Sequence, residues 1–251
     1  MTTATDIRNN ARKNLKNKWG KGALITLCYI LVEFILNYLT TATEKNVTLN
    51  LIVLIISIII STPISYGIII AFMKLKRNEE VKAFDFLKYG LENFSKSWKL
   101  FFSMLYKLLL PIILLAVSYI ILTVGLSLCV YSSALYSISS TTINYSTSII
   151  ILVIGLIALF ASSIYLCVKQ LSLALTYYIA YDEPNLPTKL AVAKSRTIMN
   201  GQKGNYFVLL LSFIGWAILS VFTLGIGSLF LIPYIQVSSI CFYDLLKTNN
   251  K

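Results

Sequence analysis

Six apolar stretches alternate with short segments that hold nearly all the lysine and arginine, and this alternation decides the solvent before any motif is considered. The stretches cover residues 22–39, 47–73, 100–130, 149–180, 206–222 and 226–246. A helix of ~20 apolar residues covers the ~30 Å hydrocarbon core of a bilayer. Inside that core no water completes the backbone hydrogen bonds, so each stretch must be helical. The expected fold is all-α: a polytopic membrane helix bundle in which six transmembrane helices form three hairpins.

Composition excludes the alternatives. Hydrophobic residues make up 57% of the chain and charged residues 13%, outside the range of a soluble domain. The longest segment between stretches, 74–99, is too short for a core of its own, so residues 1–251 read as a single integral membrane domain. The net charge of +12 is placed, not spread. Of the 22 basic residues, 19 lie before residue 22, in 74–99, in 189–203 or at the C-terminus; the others are Lys45, in an intervening loop, and Lys107 and Lys169, inside stretches. By the positive-inside rule this puts both termini and the basic segments on the cytoplasmic side of the membrane. The basic rim suits anionic headgroups, so membrane lipids are the expected partners, with a membrane-protein or transporter partner besides, and nucleic acid is not expected. The first stretch is too long for a signal-peptide core and carries Glu33, so it is kept as a span. Cys28, Cys129, Cys167 and Cys241 each sit alone in a different stretch, and the chain has no histidine. No metal site and no cofactor are expected.

Each odd-numbered span follows a basic segment with helical periodicity. Ile7, Ala11, Leu15 and Trp19 share one face against a basic side bearing Arg8, Arg12, Lys13 and Lys16. Phe84, Leu87, Leu91, Phe94 and Trp98 repeat in the same manner, with Lys82, Lys88, Lys96 and Lys99 on other faces. The third segment, bearing Lys194 and Arg196, starts at Pro187 and ends at Gly201 and Gly204. Each hairpin is thus expected to follow a cytoplasmic amphipathic helix lying in the membrane interface. Some residues recur with that unit: Ala11, Arg12, Lys21, Gly22 and Leu27 match Ala193, Lys194, Lys203, Gly204 and Leu209, and Pro63, Ile70, Phe72 and Leu75 match Pro233, Ile240, Phe242 and Leu245. Such a repeat would be parallel, unlike the inverted repeats of many transporters. On the outer side, an uncharged Ser- and Thr-rich run at 131–148 and a turn around Gly225 and Gly227 are expected.

The most distinctive part of the chain carries Ser195 through Gly201 (SRTIMNG), Leu211 through Trp216 (LSFIGW), Thr223 through Gly227 (TLGIG), Pro233-Tyr234 and Phe242-Tyr243. It resembles the C-terminal half of a widespread bacterial family of six-span integral membrane proteins catalogued as domain of unknown function 975, and the N-terminal ARKNLKNKWGKG is similar to that family's opening. The YDEP…AKSR…G pattern has a more distant likeness to the membrane domains fused to glycerophosphodiester phosphodiesterases, whose catalytic domain is missing from these residues. The resemblance implies a fold and an envelope setting, and no activity.

Two polar stripes interrupt the apolar helices. Thr26, Tyr29, Glu33, Asn37 and Thr40 follow helical spacing, with Glu33 ~16 Å into the first span and so near the midplane. Ser162, Tyr165, Lys169, Ser172 and Thr176 form a second stripe with Lys169 at similar depth. Glu33 is expected to pair with Lys169, or second with Lys107, either as structural polar glue or as part of a cavity. Snorkelling to the interface is the reading for Lys107 and an alternative for Lys169. The adjacent Asp182 and Glu183 could do acid-base work, but no nucleophile or metal ligand accompanies them, and a salt bridge to Lys194 or Arg196 is the plainer reading. No catalytic residue is assigned. The expectation is a non-enzymatic membrane protein that binds or responds to an amphiphile, a lipid or small peptide, in a transport-associated, protective (immunity) or envelope-maintenance role. The alternatives are a secondary transporter or channel using Glu33 and Lys169, and an interfacial enzyme using Asp182 and Glu183.

Overall fold

The structure, a computed structural model, describes residues 3–138 and 145–249. It comprises α1 (Ala4–Leu15), α2 (Trp19–Ala42), α3 (Val47–Lys76), α4 (Asp85–Glu92), α5 (Phe94–Ile138), α6 (Tyr145–Leu173), α7 (Thr176–Asp182), α8 (Thr188–Ile198), α9 (Lys203–Leu211), α10 (Ile214–Phe222) and α11 (Ser228–Asn249). No strand occurs among the described residues. Six helical segments are long and apolar enough to cross a membrane: Trp19–Ala42, Val47–Lys76, Phe94–Ser133, Ser146–Asp182, Lys203–Phe222 and Ser228–Thr248. They coincide with the six stretches read from the sequence. The fold is an all-α membrane bundle, and it separates into two compact units: Met1–Ser103 with Leu173–Lys251, and Met104–Ser172.

In the first unit, burial starts with α1. Thr3 and Asp6 close a capping box that satisfies the first free amides, and Ile7, Ala11 and Leu15 are buried while α1 packs on α11 and α9. The N-terminal half of α3 is largely exposed; from Pro63 onward it is mostly buried, through Ile64, Tyr66, Ile70, Phe72 and Leu75. The recurrence read from the sequence is matched in three of its four pairs there: Pro233, Ile240 and Phe242 of α11 are buried as Pro63, Ile70 and Phe72 are, whereas Leu245 is half-buried and Leu75 buried. It is not matched between Ala11, which is buried, and Ala193, which is exposed.

Helix α4 crosses α3 at bare backbone. A Cβ added at Gly67 would lie 2.0 Å from the Phe86 carbonyl oxygen, and one at Gly90 would lie 2.6 Å from that of Pro63. The run from Phe84 to Trp98, expected as one helix, is divided: the chain breaks at Asn93, between α4 and α5, which resets the helical phase. Phe86, Gly90, Ser97 and Leu100 are buried against the protein, and Phe84, Leu91 and Phe94 are exposed. Pro187 and Gly201 behave as expected: Pro187 stands at the N-cap of α8, and Gly201, at φ 75°, follows its end.

The second unit is built on small residues. An added Cβ at Gly125 would lie 2.7 Å from Leu152 Cα, and one at Gly155 would lie 2.7 Å from Leu122 Cα, so α5 and α6 touch along their backbones. Ser162 Oγ donates to Ser118 Oγ at 3.2 Å across the same interface. Within the Ser- and Thr-rich run at 131–148, α5 continues to Ile138 and α6 starts at Tyr145; residues 139–144 lie outside the described residues.

Candidate functional site

Both members of the acidic pair at the end of α7 have basic partners. The Asp182 side chain is 3% exposed. Its Oδ1 accepts from Arg77, which follows α3, and its Oδ2 accepts from Lys247 Nζ at 2.6 Å and from Tyr243 Oη at 3.1 Å, both on α11. Lys76 pairs with Asp244 beside it. Glu183 pairs with Lys194 at 2.5 Å, the partner expected from sequence. The cluster ties α3, α7, α8 and α11 together, and both oxygens of Asp182 are taken. Among the described residues no group of His, Cys, Asp or Glu is placed to hold a metal.

Between α2 and α3 lies an open groove of about 590 Å³ whose walls include Tyr29, Glu33, Asn37, Thr40, Ser57 and Ser61. Four members of the first stripe therefore do face one cavity. The Glu33 carboxylate accepts from Ser61 Oγ, at 3.1 Å to Oε1 and 3.4 Å to Oε2, so within its own unit its partner is a hydroxyl on α3. Lys169 belongs to the second unit, where its ammonium stands 5.2 Å from the centre of the Tyr165 ring. Lys107, exposed, stands 5.1 Å from the centre of the Tyr106 ring.

A second groove, also about 590 Å³, is apolar and aromatic. Trp19, Trp216, Leu219, Phe230, Leu231 and Tyr234 line it, and Arg12 is the one charged residue on its wall. Helix α1 positions that arginine: with Ala11 and Leu15 buried, Arg12 is carried on the face beside α11, where its Nε donates to Tyr234 Oη at 2.9 Å. Tyr234 Oη in turn donates to the Arg8 carbonyl at 3.4 Å, and Phe213 and Trp19 meet its ring edge-on. Arg8 Nη1 donates to the Ser212 carbonyl at 3.3 Å, while its Nε is buried and has no partner among the described residues. The Nη groups of Arg12 meet no acceptor among the described residues, leaving a guanidinium fork open beside an apolar trough. Lys13, Lys16 and Arg196 are exposed and form no ion pair among the described residues. Sequence reading named Arg12 and Trp19 only as parts of a basic amphipathic helix and gave Trp216 and Tyr234 no role in a site. An aromatic residue on each of three separated segments was the only local signal.

A family model described as "Protein of unknown function (DUF975)" matches residues 1–250. The chain belongs to that family. No curated protein and no solved structure matches it. The likeness to phosphodiesterase membrane domains is carried by none of these findings. For this DUF975 protein the chemistry therefore rests on its two grooves: one can hold a polar or cationic group beside Glu33, and the other an apolar chain whose anionic end meets Arg12.

Proposed function

We propose that this DUF975 protein is a non-enzymatic component of the bacterial cytoplasmic membrane, with both termini cytoplasmic, that binds an anionic amphiphile. A transport-associated, protective or envelope-maintenance role follows from such binding. The observation that carries the reading is the Arg12 groove. Its volume of about 590 Å³ is of ligand-site size, its walls are apolar and aromatic, and its single charge is an arginine whose Nη groups meet no acceptor among the described residues. Guanidinium binds phosphate or carboxylate oxygens through paired hydrogen bonds, and Trp and Tyr favour the level of the headgroups. An anionic lipid satisfies both ends at once.

Tryptophan quenching tests this, because two of the three tryptophans, Trp19 and Trp216, line the groove. In vesicles doped with bromine-labelled phosphatidylglycerol or phosphatidylcholine at equal mole fraction, the anionic lipid should quench more strongly. Arg12→Ala should weaken that preference ~10-fold and Arg12→Lys less, since lysine offers charge without the fork. Equal quenching by the two lipids in the unsubstituted protein would overturn the reading.

The open groove at Glu33 favours a second reading, a transporter or channel using Glu33 and Lys169. The enzyme reading has less behind it, since each oxygen of Asp182 is already bound.

A further inference from the structure

The first and last hairpins of the larger unit end in turns of opposite chemistry. Between α2 and α3 the turn contains Glu44 and Lys45, both exposed, and suits water. Between α10 and α11 the turn contains no charge, and Val221, Phe222, Leu224 and Ile226 project from it at 73%, 79%, 96% and 64% exposure. No charged residue occurs between Lys203 and Asp244.

Height separates the two as well. The helices share an anchor: a Cβ added at Gly22 of α2 would lie 3.1 Å from Pro233 Cβ of α11. Lys18 and Lys21 flank Gly22 and mark the cytoplasmic boundary by their charge. From Gly22 to the end of α2 at Ala42 the helix rises ~30 Å, the full hydrocarbon thickness. From Pro233 back to the start of α11 at Ser228 it rises ~8 Å, whatever its tilt. The compact turn adds only a few ångströms, because Leu224 and Gly225, at φ 51° and 87°, reverse the chain at once. The recurrence gives the same ratio: α3 has ~24 Å of helix before Pro63, whereas α11 has ~8 Å before its counterpart Pro233.

A turn that ends in hydrocarbon must satisfy its own backbone, since nothing around it can. The amides of this one are satisfied: every N–H from Leu224 to Phe230 donates within the hairpin at 2.9–3.2 Å, that of Gly227 to Thr223 Oγ1. The hydroxyls of Ser220, Thr223 and Ser228 donate to the carbonyls of Ala217, Ser220 and Gly225.

We propose that the α10–α11 turn stops inside the bilayer, so that this hairpin enters and leaves on the cytoplasmic side with Val221, Phe222, Leu224 and Ile226 immersed in lipid hydrocarbon. The fifth and sixth apolar segments have the length to cross; the anchor at Pro233 spends much of that length below the membrane boundary. The hairpin then forms a wall about one leaflet deep. The inference stands whether or not the Arg12 groove binds an anionic lipid.

Single cysteines at Lys45, Leu224 and Ile226, in a chain whose four native cysteines are replaced by alanine, test it in intact cells and in inverted vesicles. A membrane-impermeant maleimide should label Lys45→Cys from outside and Leu224→Cys and Ile226→Cys from neither side, at least ~10-fold more slowly. Nitroxides at 224 and 226 in reconstituted protein should be readily relaxed by oxygen and hardly by a water-soluble nickel complex. External labelling of Leu224→Cys at the rate of Lys45→Cys means a full crossing and overturns the proposal. Nitroxides shielded from both oxygen and nickel mean a tip covered by protein, and overturn it too.

Discussion

Asp182 and Arg12 are both charged, both lie near the ends of apolar helices, and the fold treats them in opposite ways. Asp182 is buried and its two oxygens accept from three donors on two other segments. Arg12 is exposed, held by its Nε bond to Tyr234 Oη and by its place over the Tyr234 ring, and its Nη groups meet no acceptor among the described residues beside an apolar groove. A buried charge persists only if its partners offset the cost of desolvation, so its place is fixed by folding. An exposed charge left with open donors costs the fold little and remains available to a ligand. The contrast separates residues that hold the protein together from residues that can act.

The sharpest way to break that contrast is to neutralise the closed site. Asp182→Asn leaves Arg77 and Lys247 facing a neutral amide, and should lower stability in detergent by ~3 kcal/mol, read as a fall in the thermal midpoint. The lipid preference of the protein that remains folded should be unchanged. If Asp182→Asn alters lipid preference as much as Arg12→Ala does, the two sites are not independent.

Glu33 lies between the extremes, bonded to Ser61 yet on the wall of an open groove. A glutamine can keep the bond to Ser61, so Glu33→Gln should cost less than ~1 kcal/mol. A loss near ~3 kcal/mol, matched by Lys169→Met and not deepened in the double variant, would instead establish the Glu33–Lys169 pair across the two units.

The smallest effect concerns how α1 presents Arg12. The Thr3 backbone N–H and hydroxyl both donate to the Asp6 carboxylate, and these bonds hold its pKa below the ordinary value. A depressed carboxylate pKa stabilises the cap above the ordinary value, and that contribution is lost as pH falls through the folded one. Amide exchange in the first turn of α1, corrected for its intrinsic rate, should therefore rise as pH drops below the ordinary carboxylate range. Asp6→Ala should show the faster exchange at every pH and lose the transition.

Features set by neighbouring residues were legible in the sequence. Apolar length located the six segments, Pro187 and Gly201 marked the ends of α8, and Glu183 found Lys194 one short loop away. Features set by distant residues were not. Asp182 meets Arg77 and Lys247, and Glu33 meets Ser61, through crossings that no periodicity encodes. The spacing from Phe84 to Trp98 presumes one unbroken helix, and the chain turns at Asn93. Similarly, counting apolar residues gives the length of α11 but not how much of it lies below Pro233; only the contact with Gly22 sets that level.

The crossing of α3 and α4 also limits how this chain can diverge. At Gly67 and Gly90 an added side chain meets carbonyl oxygens of the opposite backbone, those of Phe86 and Pro63, and not another side chain. A clash between side chains can be relieved by trimming the partner, so such positions drift in compensating pairs. A clash with backbone has no partner to trim. Neither glycine can be exchanged for a larger residue and rescued elsewhere, so the bracing of α4 against α3 rests on two positions that must each be retained on its own account while the surface around them is free to change.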